Sequence, residues 1–125
     1  MSNAGQILVV DDQAAVRTLV LVHLEQEGYS VREAADAGRA LELAREAAPS
    51  LVVLDVHMPH RDGWAVLAAM RDDPALVDVP VVMLTADADE STEWRARDLG
   101  AVAFVSKPVS MEDLARVVGR VLDRA

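Results

Sequence analysis

Acidic, hydroxyl and ammonium side chains follow four separate aliphatic runs in this chain of 125 residues. The carboxylates Asp11 and Asp12 follow the first run, Asp55 ends a run of four aliphatic residues, and Thr85 and Lys107 follow two later runs. Clustered carboxylates repel one another, so they either take up protons or hold a cation. Oxygen donors without cysteine or histidine suit a hard cation, and Mg²⁺, which often bridges to a phosphate, fits best.

Each of these residues also has an ordinary structural interpretation. Asp11 and Asp12 alone could be a helix N-cap and its solvated neighbour, and threonine is common in strands. Lys107 could be a surface residue, but it is the single lysine of the chain, whereas the other cationic residues are all arginines. A lysine used once indicates that a compact point charge is needed, for which a guanidinium would be a poor substitute.

Aliphatic runs alternate with stretches of helical spacing along the whole chain. The runs predict strands at 6–10, 29–34, 51–55, 79–84 and 102–105. The intervening stretches predict a first helix that ends at Gly28, further helices at 37–47, 64–71 and 90–99, and a last helix from Ser110 to Leu122. Five strands that alternate with five helices specify a parallel α/β sheet covered on both faces.

The carboxyl ends of the strands are where such sheets bind ligands, at the point where the strand order reverses. The acids Asp11, Asp12 and Asp55, the hydroxyl of Thr85 and the ammonium of Lys107 all fall at those ends. We therefore expect these five side chains to converge although they are far apart in sequence.

Composition narrows the class of protein. With 52% hydrophobic and 26% charged residues, the chain is an ordinary globular domain, and no uncharged run is long enough to cross a bilayer. The absence of cysteine and of a signal-peptide pattern predicts a cytoplasmic protein. A net charge of −9 argues against direct nucleic-acid binding. Residues 1–5 are interpreted as an expression-tag remnant and a disordered start, and 6–125 as one domain.

The stretch from about Gln6 to Leu122 resembles the receiver domain of two-component response regulators. The motifs that carry the resemblance are VVDD at 9–12, LDVHMP at 54–59 with DG at 62–63, PVVMLTA at 80–86 and KP at 107–108. The resemblance implies a flavodoxin-like fold: a doubly wound, five-stranded parallel sheet in strand order 2-1-3-4-5 with five helices.

The resemblance also implies the chemistry. Asp55 would be the phosphoacceptor, ionised and made tolerable by Mg²⁺, and would take a phosphoryl group from a histidine kinase or histidine phosphotransfer protein. Asp12 would bind the metal directly and Asp11 through water, with the backbone carbonyl of His57 as a further ligand. Lys107, presented by a cis Lys107-Pro108 bond, would hold a phosphoryl oxygen. The chain would catalyse only its own phosphorylation and dephosphorylation.

Further residues are implied to transmit or tune the signal. Thr85 would bind the new phosphoryl group, and Phe104 would turn inward in response, which shifts the population between two packings. His57 and Asp87 flank the phosphoryl group, and we hypothesise that they set its lifetime. The face formed by helix 4, strand 5 and helix 5 would meet an output domain, an effector or a second copy. Val109 stands where phenylalanine is frequent, which puts docking near that loop in doubt.

Other functions fit the sequence less well. A phosphatase or phosphotransferase with an aspartyl nucleophile would usually have a second acid two residues later, where this chain has His57. A flavin module would need a phosphate-cradling loop after strand one, and Asp11 and Asp12 would repel a phosphate there. Transition-metal ligation by His57 and His60 lacks supporting hydrogen-bonding residues. A receiver that no longer signals is disfavoured because the set of site residues is complete.

Overall fold

A computed structural model of the protein describes residues 5–58, 62–86 and 89–122. Its strands are β1 (Gln6–Val10), β2 (Ser30–Ala34), β3 (Leu51–Asp55), β4 (Val81–Thr85) and β5 (Ala103–Ser106). Its helices are α1 (Ala14–Gln26), α2 (Ala37–Glu46), α3 (Gly63–Arg71), α4 (Glu90–Asp98) and α5 (Met111–Leu122). The predicted alternation of strands and helices is confirmed. His60, Asp87 and residues 1–4 of the predicted tag lie outside the described residues.

The five strands form one parallel sheet in the order β2-β1-β3-β4-β5, as the resemblance implied. Its register aligns the carboxyl ends, since Val10 pairs with Leu54 and Asp55 pairs with Leu84. Strand β3 occupies the centre and is buried along its whole length, as its aliphatic run predicted. The predicted doubly wound α/β fold is therefore confirmed.

Alternate residues of each strand bury against opposite faces of the sheet, because side chains alternate along a strand. Val52 and Leu54 of β3 join the hydrophobic cluster that contains residues of α2, α3 and α4. Leu51 and Val53 join the cluster that contains residues of α1 and α5. Each fully buried aliphatic side chain contributes roughly 1.5–3 kcal/mol. Packing on both faces fixes the strand that ends at Asp55.

Side-chain caps set several helix boundaries. Asp36, Asp62 and Asp89 precede α2, α3 and α4, and each accepts a hydrogen bond from the backbone N–H three residues later, at 2.8, 3.1 and 2.8 Å. At the start of α5, Ser110 Oγ accepts a hydrogen bond from Asp113 N at 3.2 Å, which is one half of a capping box. Gly28 has a φ of 99° just after α1, a conformation that glycine adopts without strain.

Strands β2, β4 and β5 begin or end at other residues than predicted. Strand β2 begins at Ser30 instead of residue 29, and β5 spans Ala103–Ser106 instead of residues 102–105. Strand β4 begins at Val81 instead of residue 79, because the Val79 N–H bonds Leu76 O and Pro80 has no N–H to donate to the ladder. Strand β4 extends through Thr85, so this hydroxyl residue is the last of a buried strand. No helix in the described ranges has the length and apolar character needed to cross a membrane.

Candidate functional site

Three carboxylates meet at the carboxyl ends of β1 and β3. One carboxylate oxygen from each of Asp11, Asp12 and Asp55 lies within 4.8 Å of the others. Asp11 and Asp55 are buried, with 0% and 1% of their surface exposed, whereas Asp12 is exposed. Asp11 and Asp12 follow β1, which is the parallel neighbour of β3, so the pairing of these strands brings the acids together. One member of the cluster faces solvent and two lie beneath it.

Lys107 reaches this cluster from the end of β5. Its Nζ lies 3.1 Å from Asp55 Oδ1 and 3.3 Å from Asp11 Oδ2. Its backbone N–H donates to the carbonyl oxygen of Thr85 at 2.7 Å, which ties it to the end of β4. The Lys107-Pro108 bond is cis, as the resemblance implied. The ammonium of Lys107 and the three carboxylates therefore lie close together, as the sequence predicted.

Burial and like charge work against ionisation of Asp55. Burial and the charge of Asp11 raise the pKa of Asp55, and the contacts with Lys107 and with the His57 N–H, 3.3 Å away, oppose this only in part. Burial by itself would lower the pKa of Lys107, but its hydrogen bond to Asp55 and the charges of Asp11 and Asp55 outweigh burial and raise it. Lys107 therefore stays charged and offsets part of the buried negative charge.

The donor set matches a divalent hard cation. Three carboxylates and one ammonium leave two negative charges in excess when all are ionised. Burial and, after it, the charge of Asp11 raise the pKa of Asp55, and Lys107 does not cancel these two effects. All-oxygen donors of this kind suit Mg²⁺, which usually binds one or two carboxylates and keeps several waters. The acidic cluster therefore fits the cation that the sequence predicted.

Thr85 and Phe104 lie on neighbouring strands. Thr85 is fully buried at the end of β4. Phe104 is partly buried in β5, where it pairs in register with Met83. It also lines a cavity of about 220 Å³ between α4 and β5, together with Glu93 and Ala96. Phe104 therefore borders open space beside α4.

His57 and the two tryptophans differ in exposure. The His57 side chain is exposed. Trp64 is buried, with 7% of its surface exposed, in the hydrophobic cluster that contains residues of α2, α3 and α4. The guanidinium carbon of Arg95, on α4, lies 4.6 Å from the centre of the Trp64 ring. Trp94 on α4 has 64% of its surface exposed.

Two residues near the site were missed by sequence reasoning. Arg17 Nη1 donates to the backbone carbonyl of Asp11 at 2.9 Å. Gly63 donates its N–H to Val56 O at 2.8 Å, and a Cβ on Gly63 would overlap the carbonyl oxygen of Asp55. Gly63 lies in the DG motif at 62–63, but the motif alone does not show that the Gly63 backbone approaches Asp55. Arg17 gave no signal, because its partners are distant in sequence or are backbone atoms.

The family model of the response regulator receiver domain matches residues 7–119 of the chain. This chain belongs to the response regulator receiver domain family. The receiver thus takes part in two-component signal transduction, and the acid cluster, Thr85 and Lys107 lie at the carboxyl edge of its sheet.

Solved structures and curated relatives agree with this assignment. A putative response regulator from Chloroflexus aurantiacus J-10-fl superposes with a TM-score of 0.90 at 31% identity, over 96% of the receiver and 98% of that chain. Chemotaxis protein CheY4 of Vibrio cholerae gives 0.88 and 31%, over 93% and 97%. The DNA-binding dual master transcriptional regulator RpaA of Synechocystis sp. is 38% identical over 90% of the receiver and 47% of that protein. The receiver spans about half the length of the curated relatives it matches.

Proposed function

We propose that Asp55 of this receiver is the phosphoacceptor and that it takes a phosphoryl group from a phosphohistidine donor with the help of Mg²⁺. One observation carries the proposal: Asp55 is buried, its Oδ1 lies 3.1 Å from Lys107 Nζ, and it shares a carboxylate cluster with Asp11 and Asp12. A carboxylate held in place beside a cation is a suitable nucleophile for phosphoryl transfer.

The cation would be held by Asp11, Asp12 and Asp55, with the backbone carbonyl of His57 as a further ligand. The excess of two negative charges supports a divalent ion. When bound, Mg²⁺ neutralises charge on the oxygens of a transferring phosphoryl group. Asp12 is the exposed member of the cluster and so the carboxylate that solvent ions reach first.

The chain's own residues would carry out the transfer. An ionised carboxylate oxygen of Asp55 forms the new O–P bond as the N–P bond of the phosphohistidine breaks, and the electron pair of that bond leaves with the imidazole. Lys107 is positioned by its backbone bond to Thr85, and its ammonium would follow the negative charge from the carboxylate to the phosphoryl oxygens. The receiver would catalyse only this step and the hydrolysis of its product.

The response would pass through Thr85 and Phe104. Thr85 would bind the phosphoryl group, and Phe104, which borders a cavity of about 220 Å³, has space in which to change its packing. Phosphoryl contacts made in only one of the two packings would shift the population toward it. His57 and Asp87 would set the lifetime of the aspartyl phosphate.

The receiver would act in the cytoplasm, and its partners would be a histidine kinase or histidine phosphotransfer protein and an output domain or effector protein. Trp94 on α4 and Val102 beside β5 are exposed apolar side chains, with 64% and 50% of their surfaces accessible. They support the α4–β5–α5 face as the surface for an output domain, an effector protein or a second receiver. The transcriptional relatives make a DNA-binding output domain one candidate.

The test is exposure of the wild type, Asp55→Asn and Asp113→Asn to a small phosphodonor with and without Mg²⁺. Asp113 is an exposed acid on α5 that pairs with Arg116 and serves as the control. We expect intact-mass measurement to find one phosphoryl group on wild type and on Asp113→Asn, only with Mg²⁺, and none on Asp55→Asn. Uptake that is equal in Asp55→Asn, or independent of Mg²⁺, would refute the proposal.

A further inference from the structure

Arg17 lies on the first turns of α1 and connects three parts of the structure. Its Nη1 donates to the carbonyl oxygen of Asp11 at 2.9 Å, and its Nε pairs with Glu33 Oε1 of β2 at 2.7 Å. The Arg17 side chain is 18% exposed and that of Glu33 is 46% exposed, so the guanidinium is mostly enclosed. One side chain thus joins α1, the end of β1 and the edge strand β2.

The contact with Asp11 completes the hydrogen bonding of that residue. The Asp11 N–H donates to Ala34 O at 3.2 Å, and its Oδ1 accepts from Gln13 N at 2.9 Å. Its Oδ2 accepts from Lys107 Nζ at 3.3 Å, which leaves the carbonyl to Arg17. This carbonyl belongs to the peptide unit that joins Asp11 to Asp12. The hydrogen bond from Arg17 to this carbonyl therefore fixes the orientation of the peptide that leads into Asp12.

Glu33 fixes Arg17 in turn. It pairs in register with Val9 on β1, two residues before Asp11, so it comes from the strand next to the acidic pair. An arginine fork is well suited to hold a carboxylate and a carbonyl at once, whereas a lysine is a single flexible point charge. The Arg17–Glu33 pair therefore fixes the position of the guanidinium relative to the Asp11 carbonyl, in addition to balancing charge.

We propose that Arg17, held by Glu33, is a positioning residue that sets the cation affinity of Asp11 and Asp12. The inference rests on the proposed function, since it assumes that the acidic cluster binds Mg²⁺. Residues that orient metal ligands typically change metal affinity 10- to 100-fold when they are replaced. Arg17 would act only through the peptide that it holds.

Electrostatic repulsion alone would predict the opposite effect of Arg17 on Mg²⁺ affinity. A guanidinium close to the cluster repels a cation, so its removal would tighten Mg²⁺ binding if electrostatics were its only effect. Loss of positioning would weaken binding. A substitution that keeps the charge but loses the fork, Arg17→Lys, separates the two effects, and so does Glu33→Asp, which keeps the acid but shortens its reach.

The experiment measures the Mg²⁺ dissociation constant by calorimetry for wild type, Arg17→Lys, Arg17→Met and Glu33→Asp, at a temperature where each variant is folded by circular dichroism. The control is Arg45→Met, which loses an arginine whose Nε pairs with Asp73 at 3.1 Å on another side of the molecule. We expect affinity to fall roughly 10-fold in Arg17→Lys and Arg17→Met, to fall in the same direction in Glu33→Asp, and to stay unchanged in the control.

Three results would overturn the inference. They are wild-type affinity in both Arg17→Lys and Glu33→Asp, tighter binding in Arg17→Met, and a loss in Arg45→Met as large as in Arg17→Met. If the Arg17 variants do not fold, Glu33→Asp decides the outcome, because it leaves the guanidinium in place. Absence of Mg²⁺ binding by wild type would instead refute the proposed function, and this inference with it.

Discussion

Asp55 combines burial with an ionisable side chain at the end of a strand that is buried along its whole length. Its pKa is raised, first by burial and then by the charge of Asp11. Between the unfolded and the folded pKa, the folded state therefore binds more protons than the unfolded state, and stability falls as the pH rises through the folded value. The buried charge that the proposed phosphoryl transfer requires thus lowers the stability of the fold.

Replacing this carboxylate should stabilise the receiver. We expect Asp55→Asn, without Mg²⁺ at pH 7, to have a free energy of unfolding higher than that of wild type by roughly 1 kcal/mol, because it removes a buried charge that Lys107 offsets only in part. The gain should disappear as the pH falls to about 4, near the unfolded pKa of aspartate. Urea unfolding at both pH values measures it, and equal or lower stability at pH 7 would contradict the argument.

Asp73→Asn is the control with the opposite sign. The pKa of Asp73 is lowered, first by the hydrogen bond from Ala75 N and then by the hydrogen bond from Arg45. Its contribution to stability is therefore present above the unfolded pKa and is lost as the pH falls through the folded pKa. Asp73→Asn should be less stable than wild type at pH 7, not more.

The first turn of helix α3 packs directly against the backbone of Asp55. Gly63 begins this helix, and the absence of a side chain lets its backbone approach the carbonyl of Asp55. Asp62 caps the helix with a hydrogen bond from Ala65 N at 3.1 Å. The conformation of β3's end and the start of α3 are therefore fixed together.

A methyl group at this position should disturb both stability and chemistry. We expect Gly63→Ala to lower the free energy of unfolding by about 2 kcal/mol, because the added Cβ must displace backbone, and to slow phosphoryl uptake. Gly38→Ala is the control: it is also in the first turn of a helix, and its Cβ would meet nothing closer than 3.5 Å. The free energy of unfolding of Gly38→Ala should rise by a few tenths of a kcal/mol. Equal stabilities for the two variants would show that the contact at Gly63 is unimportant.

The sequence predicted the elements better than their contacts. Four aliphatic residues before Asp55 were enough to predict a buried strand, and the family resemblance implied its central position. The parallel fold then brought the strand ends together. The pattern could not tell that Asp11 is buried while Asp12 is exposed, because adjacent residues outside a strand have no fixed alternation. The Arg17–Glu33 pair could not be predicted from the sequence either. It depends on side-chain directions on two elements that only the folded sheet brings together.

Across the whole molecule, Arg71 ties together two connections that lie at the opposite end of the sheet from the site. Its guanidinium donates to four backbone carbonyl oxygens at 2.8 to 3.4 Å, those of Leu76, Val77, Val79 and Gly100. Burial lowers its pKa, and the charge of Asp78 opposes this effect. The α3–β4 connection is thereby joined to Gly100, two residues after the end of α4.

Loss of the Arg71 hydrogen bonds should lower the stability of the receiver without changing the site at the carboxyl edge of the sheet. We expect Arg71→Met to lower the free energy of unfolding by about 2 kcal/mol, because it leaves several partly buried carbonyl groups without their charged donor. Mg²⁺ affinity should stay at the wild-type value when the variant is folded. Arg39→Met, which removes an exposed pair within α2, should change neither quantity. A large loss of Mg²⁺ affinity in Arg71→Met would show that the two ends of the sheet are coupled.

The single lysine of the receiver makes its site unusually easy to observe. Lys107 Nζ bridges Asp55 and Asp11, and no second lysine exists elsewhere in the chain. Protein grown with ¹⁵N-labelled lysine would therefore carry one labelled side-chain nitrogen, and any ammonium resonance would belong to this one group. Its chemical shift and its rate of proton exchange with water would follow the hydrogen bonds to the carboxylates, so one isotope label would record each stage of the phosphorylation cycle.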